Sequence, residues 1–204
     1  MNTNIILSGV GGQGILTIAA ILDTAALNED LFVKQSEVHG MSQRGGAVES
    51  HVRISDSEIY SDLIPIGKAD LILSVEPMEL LRYIPYLKNK GWLVTDAHPF
   101  INTTDYPEKE DLYKQIRSYP NNIIINATEI AKKLGNSKAA NMVLLGAASS
   151  LIPLSKESIL KAIKNLFLQK SERIFKLNIE AYQTGKTIAK EYLDVENSTI
   201  DTRH

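Results

Sequence analysis

The stretch Ile5-Ile6-Leu7-Ser8-Gly9-Val10-Gly11-Gly12-Gln13-Gly14, residues 5–14, decides the fold. Its apolar first half predicts a short buried strand, and its glycines lead into a helical pattern from about Gln13 to Asn28. A second apolar run, Leu31-Phe32-Val33, ends at polar residues. The chain therefore opens as a strand, a glycine turn, a helix and a second strand, which is typical of a β-α-β unit with parallel strands.

The rest of the chain continues this alternation with one interruption. Residues 47–54 alternate between apolar and polar, as in a half-solvated strand, and Asp56-Ser57 predicts a turn into a short partner strand at 58–61. Further strands are predicted at 71–75, 92–95 and 123–125, and helices at 76–87, 128–135, 139–151, 156–168 and 172–193. We therefore predict an α/β fold, doubly wound and Rossmann-like, with a mostly parallel sheet, a β-hairpin insertion and C-terminal helices.

No linker rich in Pro, Gly or Ser divides the chain. Residues 1–194 are accordingly predicted to form a single domain, helical from about residue 139, and residues 195–204 a frayed tail. No apolar run reaches the roughly 18 residues of a membrane span, and no basic leader precedes the first strand. We therefore expect a soluble, cytoplasmic protein.

Composition limits the chemistry of the chain. Its formal net charge is −2 and its Lys and Arg residues are scattered, which argues against binding to nucleic acid or to an anionic membrane. It contains no cysteine, which excludes disulfides, a cysteine nucleophile, and thiolate ligation of zinc or of an iron–sulfur cluster. The spacing of its four histidines suggests no metal site.

The glycine loop fits the pattern G-x-G-x-x-G between a strand and a helix. Small residues let the chain turn tightly and let an anion, such as a phosphate or carboxylate, approach the amides at the helix N-terminus. The candidate ligand-binding residues are Gly9, Gly11, Gly12, Gln13 and Gly14. Alternatively, the glycines only allow close packing of the helix on the sheet, or the approach of a neighbouring subunit. A nicotinamide or flavin dinucleotide is disfavoured, because Lys34-Gln35-Ser36 stands where a ribose-binding acid is expected.

A second loop, Ser36 to Gly46, concentrates reactive and charged residue types. It follows the C-terminal end of the second strand, the edge at which doubly wound folds bind ligands, so we expect it to share a surface with the glycine loop. Arg44 either pairs with a phosphate or a partner carboxylate or is solvated. His39 is either an acid or base or a structural hydrogen-bonding group. Glu37 either orients one of these two side chains or is solvated.

Together the two motifs resemble one family. Gly-Val-Gly-Gly-Gln-Gly at 9–14 and Ser-Glu-Val-His-Gly-Met-Ser-Gln-Arg-Gly-Gly at 36–46 resemble the gamma-type component of 2-oxoacid:ferredoxin oxidoreductases. The second motif is most similar to that of indolepyruvate:ferredoxin oxidoreductase small (beta) subunits. Further matches are His51-Val52-Arg53, residues 64–70, and Glu76-Pro77-Met78-Glu79 with Arg82, so the resemblance covers about residues 4–190. The fold it implies is like domain III of pyruvate:ferredoxin oxidoreductase.

The resemblance implies an enzyme complex in which this chain is the small subunit and is inactive alone. A larger subunit would hold thiamine diphosphate, Mg and 4Fe-4S clusters. It would oxidatively decarboxylate indolepyruvate or a related arylpyruvate to an acyl-coenzyme A, with ferredoxin as the electron acceptor, in an anaerobic metabolism. The chain would bind no cofactor by itself, although its glycine loop would contact coenzyme A. The residues expected to form an interface or active-site cover are Glu37, His39, Ser42, Gln43, Arg44, Gly45 and Gly46.

Three alternatives remain open. The first is a stand-alone dinucleotide-binding oxidoreductase, the second is a gamma subunit that acts on pyruvate or another 2-oxoacid, and the third is an assembly module with no ligand. No residue is proposed as catalytic: His51 is expected at the surface or an interface, and Asp96 with His98 is either an acid/base pair or a turn and cap. Asp70 and Glu76 are expected to cap or terminate the strand that they flank.

Overall fold

A six-stranded sheet is the centre of the fold, within the residues that the computed structural model describes, 1–39, 45–169 and 171–201. Its strands are β1 (Asn2–Val10), β2 (Phe32–His39), β3 (Ala47–Ser55), β4 (Ala69–Ser74), β5 (Leu87–Asp96) and β6 (Asn122–Ile125). Their spatial order is β2-β3-β1-β4-β5-β6. Strands β1, β4, β5 and β6 run parallel, whereas β3 is antiparallel to both of its neighbours.

Helices cover both faces of the sheet. They are α1 (Ile15–Leu27), α2 (Pro77–Arg82), α3 (Lys109–Arg117), α4 (Ala127–Lys133), α5 (Ala140–Ala148), α6 (Lys156–Phe167) and α7 (Glu172–Asp201). Helices α2 and α3 pack on one face, and the other five pack on the opposite face. Among the described residues, no helix combines the length and the hydropathy that crossing a membrane requires.

The apolar run of β1 shows why both faces need helices. Ile5 and Leu7 point into the larger core with α1 and α5, whereas Ile6 points into the smaller core with α2 and α3. Successive side chains of a strand alternate between faces, so a strand that is apolar throughout is buried on both. The predicted doubly wound α/β class with C-terminal helices is therefore confirmed.

The predicted β-hairpin of residues 47–54 with 58–61 is not formed; β3 pairs antiparallel with β2 instead. Strand β3 lies between β1 and β2 and pairs with each along its whole length. Strands β1 and β2 thus run in the same direction, as predicted for a β-α-β unit, although they are not neighbours in the sheet. The predicted partner strand at 58–61 was wrong. That segment has no ladder, because Arg53 Nη1 donates to the carbonyl oxygens of Ser61 (2.9 Å) and Leu63 (3.3 Å) and holds it as a loop.

His51 illustrates how the loop at 58–68 changes the polar face of β3. The sequence predicted a surface or interface position, yet the residue is only 3% exposed. Its Nδ1 accepts a hydrogen bond from the amide of Ile64 (2.9 Å), and its ring packs edge-on against Tyr86. The expectation was wrong because a segment distant in sequence covers this face, and strand periodicity carries no information about such a cover.

Other boundaries differ by a turn or more. The helix predicted at 76–87 ends at Arg82 and is followed by a 3-10 turn at Ile84–Tyr86, so that Leu87 already belongs to β5. Helix α3 was not predicted, and α7 continues beyond residue 193 to Asp201. Ser155 caps α6, since its Oγ accepts from the amide of Ser158 (3.1 Å). The domain boundary at residue 194 stays a prediction.

Candidate functional site

The glycine loop connects β1 to α1 through a tight turn. The amide of Gln13 donates to the carbonyl oxygen of Val10 (3.1 Å), and the Gln13 Oε1 accepts from the amide of Val10 (2.7 Å). Gln13 thus closes the turn with both its backbone and its side chain. The backbone φ angles of Gly12 and Gly14 are 96° and 83°, a region in which residues other than glycine are strained.

The sequence left open whether the glycines of this loop bind a ligand or permit close packing, and individual glycines differ in this respect. A Cβ at Gly9 would lie 2.3 Å from a methyl group of Val75, and a Cβ at Gly14 would lie 2.4 Å from the Asn141 Nδ2. These two glycines permit close packing. Around Gly12, by contrast, a Cβ would meet no described atom within 4 Å. The backbone at Gly12 is therefore open to the approach of a ligand.

The second loop meets the glycine loop, as predicted. The amide of Gly11 donates to the carbonyl oxygen of Gly46 (2.9 Å), and the Asn102 Nδ2 donates to that of Gly45 (2.9 Å). Glu37 lies in β2 with an exposed side chain. His39 is the last residue of β2, and its side chain is outside the described part of the chain, as are residues 40–44 with Ser42, Gln43 and Arg44. Their assignment to an interface stays a prediction.

A cavity of about 550 Å³ opens beside the glycine loop. Its wall is formed by Gly12, Gln13 and Gly14 on one side and by residues of β5, α5 and α7 and their flanking turns on the other. The polar side chains on that second side are those of Asp96, His98, Thr128, Asn136, Ser137, Lys138, Asn141 and Asn178. A mostly pre-formed cleft with a few polar groups at the C-terminal edge of a parallel sheet is a common ligand site.

Asp96 in this cavity is a cap. The sequence had left open whether it forms an acid/base pair with His98 or acts as a turn and cap residue. It is 2% exposed and accepts hydrogen bonds from the Thr128 amide (3.1 Å), the Thr128 hydroxyl and the His98 amide (3.1 Å). Burial raises the pKa of this carboxyl, while the bonds from Thr128 oppose the rise. Its oxygens thus start α4 and shape the turn at His98, which is the cap role that the sequence allowed.

Asn141 was not singled out from the sequence, although it has the most informative environment in the cavity. It is 5% exposed, and its Nδ2 donates to the carbonyl oxygen of Gly14 (3.1 Å). That bond fixes the orientation of the amide, and its buried Oδ1 has no hydrogen-bond partner in the described residues. An asparagine within the otherwise apolar helix α5 was the available signal, because buried polar atoms are nearly always paired.

A segment at residues 97–106, which we call the strap, joins the cavity to the second loop. Its Phe100 lines the cavity, and its Asn102 holds Gly45. Glu76 anchors it, because one carboxylate oxygen accepts from the Phe100 amide (3.4 Å) and from the Tyr106 hydroxyl. The other oxygen accepts from the Glu79 amide (2.7 Å), so Glu76 caps α2, whereas the sequence predicted that it caps or terminates the preceding strand.

Asp70, the other carboxylate expected to cap or terminate a strand, has a different position. It lies inside β4, where its Oδ2 accepts from the amide of Asn4 (2.7 Å) and its Oδ1 pairs with Lys88. It therefore ties β4 to the beginning of β1, at the edge of the sheet remote from the glycine loop.

The family model and the most similar relatives of this chain belong to one family. The family model described as pyruvate ferredoxin/flavodoxin oxidoreductase matches residues 4–188. Indolepyruvate oxidoreductase subunit IorB of Pyrococcus horikoshii is 39% identical over 202 residues, which cover 94% of this chain and 98% of that protein.

Solved structures share the same fold. The gamma subunit of a keto/oxoacid ferredoxin oxidoreductase from Geobacter sulfurreducens PCA is 30% identical, with a TM-score of 0.69 and coverage of 93% of this chain and 99% of that one. A 2-oxoglutarate:ferredoxin oxidoreductase from Magnetococcus marinus, solved with 2-oxoglutarate, coenzyme A and succinyl-CoA, has a TM-score of 0.74 at 22% identity and coverage of 93% and 31%. The chain therefore belongs to the pyruvate ferredoxin/flavodoxin oxidoreductase family, among its small, gamma-type subunits.

Proposed function

We propose that this chain is the small subunit of an indolepyruvate:ferredoxin oxidoreductase. The observation that carries the proposal is the joined pair of glycine loops at the mouth of one cavity, in a chain that is similar to subunit IorB over nearly its whole length. The complex converts indolepyruvate or a related arylpyruvate and coenzyme A to carbon dioxide and an acyl-coenzyme A. The electrons pass to ferredoxin.

The residues of the cavity fit part of a coenzyme A molecule. No described atom crowds the backbone at Gly12, the N-terminus of α1 follows directly after Gly14, and Lys138 supplies a positive charge. These groups suit a phosphate. The orphaned Asn141 Oδ1 accepts a hydrogen bond from a ligand N–H or O–H, and coenzyme A carries hydroxyl, amide and amino donors. A nucleotide with both anionic and donor groups therefore matches both kinds of partner.

The redox cofactors belong to the larger subunit under this proposal. The chain has no cysteine with which to hold an iron–sulfur cluster. Thiamine diphosphate, Mg and 4Fe-4S clusters thus reside in the partner, where they supply the decarboxylation and the electron transfer. This chain binds and orients coenzyme A, and the end of β2 with Glu37 and His39, together with Arg44 after it, covers the partner's active site. A cytoplasmic location and an anaerobic metabolism stay predictions.

The geometry gives a reason to prefer this function over a stand-alone dinucleotide enzyme. In a dinucleotide-binding fold the second strand lies beside the first, and an acid at its end reaches the ribose. Here β3 separates β2 from β1, so the end of β2 is displaced by about one further strand spacing, ~5 Å. Isothermal calorimetry of the isolated chain with NAD, NADP and FAD should accordingly detect no tight binding.

The decisive experiment is reconstitution with the larger subunit. We expect the isolated chain to be inactive and the co-expressed complex to reduce ferredoxin with indolepyruvate and coenzyme A. Asn141→Ala should raise the KM for coenzyme A about tenfold, equivalent to ~1.4 kcal/mol, and leave the KM for the oxoacid unchanged. Asn165→Ala on the exposed face of α6 is the matched control. Full activity of the chain alone would refute the subunit role, and unchanged coenzyme A kinetics would refute the role of the cavity.

A further inference from the structure

The outer face of α1 is unusually apolar for a helix at a protein surface. Only Thr17, Asp23 and Thr24 are polar in this helix, and its inward side is fully buried against the sheet. On the outward side Leu16 is 40% exposed and Leu27 is 62% exposed. A helix that is apolar on nearly all sides is normally buried on all sides, so this face fits a helix that is covered in an assembly.

The outward residues form a regular seam. Leu16, Ala20, Asp23 and Leu27 follow each other at intervals of four, three and four residues. This spacing places side chains in one line along a helix, the pattern along which a second helix packs. Ala20 in the middle leaves room for close approach, and the two leucines at the ends offer apolar contact. The surface therefore suits a helix better than an extended strand or a small ligand.

Asp23 restricts the charge of the occupant. It is half-buried in the seam, and its buried Oδ1 has no hydrogen-bond partner in the part of the chain that the structure describes. Burial raises the pKa of this carboxyl to about 6. Covering it further with apolar groups alone would be unfavourable, because a buried carboxylate needs a cation or hydrogen-bond donors. The occupant must therefore bring a basic side chain to this position.

A second copy of the chain does not meet this requirement. If two α1 helices packed antiparallel about a two-fold axis, Leu16 would lie opposite Leu27, and Asp23 of each copy would lie opposite Ala20 of the other. Two unpaired carboxylates would then be buried near each other, which is unfavourable. Charge complementarity thus favours a different chain.

We propose that the outer seam of α1 is the docking surface for a helix of the larger subunit, which presents a Lys or Arg to Asp23. This inference rests on the proposed function, since it takes the larger subunit as the partner. Helix α1 begins directly after Gly14, so a helix in this seam lies next to the glycine loop. In the 2-oxoglutarate:ferredoxin oxidoreductase described above, the match covers 31% of a longer chain, so in that protein this fold is covalently joined to further polypeptide.

The absence of cysteine from this chain permits a direct test by thiol protection. Leu27→Cys places a single thiol in the seam, and Glu191→Cys places one on the exposed side of α7 as a control. Each variant is treated with iodoacetamide as the free chain and as the purified complex, and alkylation is followed by the intact mass of this chain. We expect assembly to slow labelling at position 27 at least tenfold and at position 191 less than twofold.

The role of the charge is tested by the affinity of the complex. Asp23→Asn should weaken binding of the larger subunit about tenfold and Asp23→Lys at least a hundredfold, while Glu191→Lys leaves it unchanged. Circular dichroism must show that each free variant is folded. Equal labelling of position 27 in the free chain and in an active complex would overturn this inference and leave the proposed function intact. Failure of the wild-type chains to form a complex would overturn both, and concentration-dependent protection in the free chain would show self-association instead.

Discussion

Gly185→Ala tests whether the contact of α5 with α7 sets the geometry of the cavity wall. A Cβ at Gly185 would lie 1.9 Å from the carbonyl oxygen of Val143 and 2.7 Å from its carbonyl carbon. Gly146 faces α7 in the same way, with a Cβ position 2.0 Å from the carbonyl oxygen of Tyr182. At both positions the contacting atoms are backbone, so no side chain can rotate to make room.

The magnitude follows from the required displacement. The two helices would have to separate by about 1 Å to bring the new methyl group to the shortest distance that real Cβ atoms show. Overpacking of this kind costs about 1–3 kcal/mol and occasionally more. Alanine gains about 1 kcal/mol over glycine in a helix interior, which offsets part of this cost. Because the contacting atoms are backbone and cannot move aside, we take the upper end of this cost, about 3 kcal/mol, which leaves a net destabilisation of about 2 kcal/mol. This lowers the Tm by roughly 4–8 °C for a chain of this size.

Thermal and urea unfolding followed by circular dichroism measure this effect. Thr184→Ala, which introduces the same residue at the neighbouring, partly exposed position of α7, should change the Tm by little. Because Asn141 lies on α5 and Asn178 on α7, the separation should also raise the KM of the complex for coenzyme A. A Gly185→Ala variant as stable as the wild type would show that the helices do not approach as closely as described.

Further predictions concern three single side chains, those of Asp23, His51 and Asn102. Burial raises the pKa of Asp23 from 3.8 to about 6, so the stability of the free chain should fall as the pH rises from 3.8 to 6 and stay constant above. Asp23→Asn should remove that loss and, allowing for partial exposure to water, stabilise the free chain at pH 7 by about 1–2 kcal/mol in urea unfolding. Burial lowers the pKa of His51 below 6.5, so its contribution should be complete above pH 6.5 and decline below it, in the same assay. His51→Leu should destabilise the chain by about 1–3 kcal/mol, because the amide of Ile64 loses its acceptor; equal stability would refute this reasoning. Asn102→Ala should release Gly45 and raise the KM of the complex for coenzyme A several-fold without changing the Tm by more than about 2 °C, and unchanged kinetics would argue against a role for the strap.

The strands and helices that the sequence predicted well are those with strong local patterns. The apolar runs of β1, β4 and β6 and the periodic helix α6 lie within a few residues of their predicted positions. The place of β3 in the sheet could not be predicted, because local alternation says which face a side chain occupies and nothing about the neighbouring strand. The prediction of a partner strand at 58–61 was wrong for a related reason. The hydrogen bonds from Arg53 that hold this segment connect residues on different elements, which a local pattern does not show.

The candidate site shows the same limit. The glycine motif was recognised because its meaning depends on a strand before it and a helix after it, both of which are local features. The sequence did not identify Asn141, because its role depends on a hydrogen bond to the carbonyl oxygen of Gly14, which is 127 residues away in sequence. The anchoring of the strap by Glu76 was equally hidden, because its partners Phe100 and Tyr106 lie 24 and 30 residues away in sequence.

The position of β3 has a consequence for how this family can diversify. Val10 pairs with Ala47, and His39 pairs with Val48, so both ends of the 40–46 connection are fixed on adjacent strands, about 5 Å apart. The entropy of closing a loop depends only weakly on its length once its ends are fixed. Insertions and substitutions between His39 and Ala47 therefore leave the register of the sheet unchanged. We expect subunits with different substrate preferences to differ in length and composition here, on an otherwise constant scaffold.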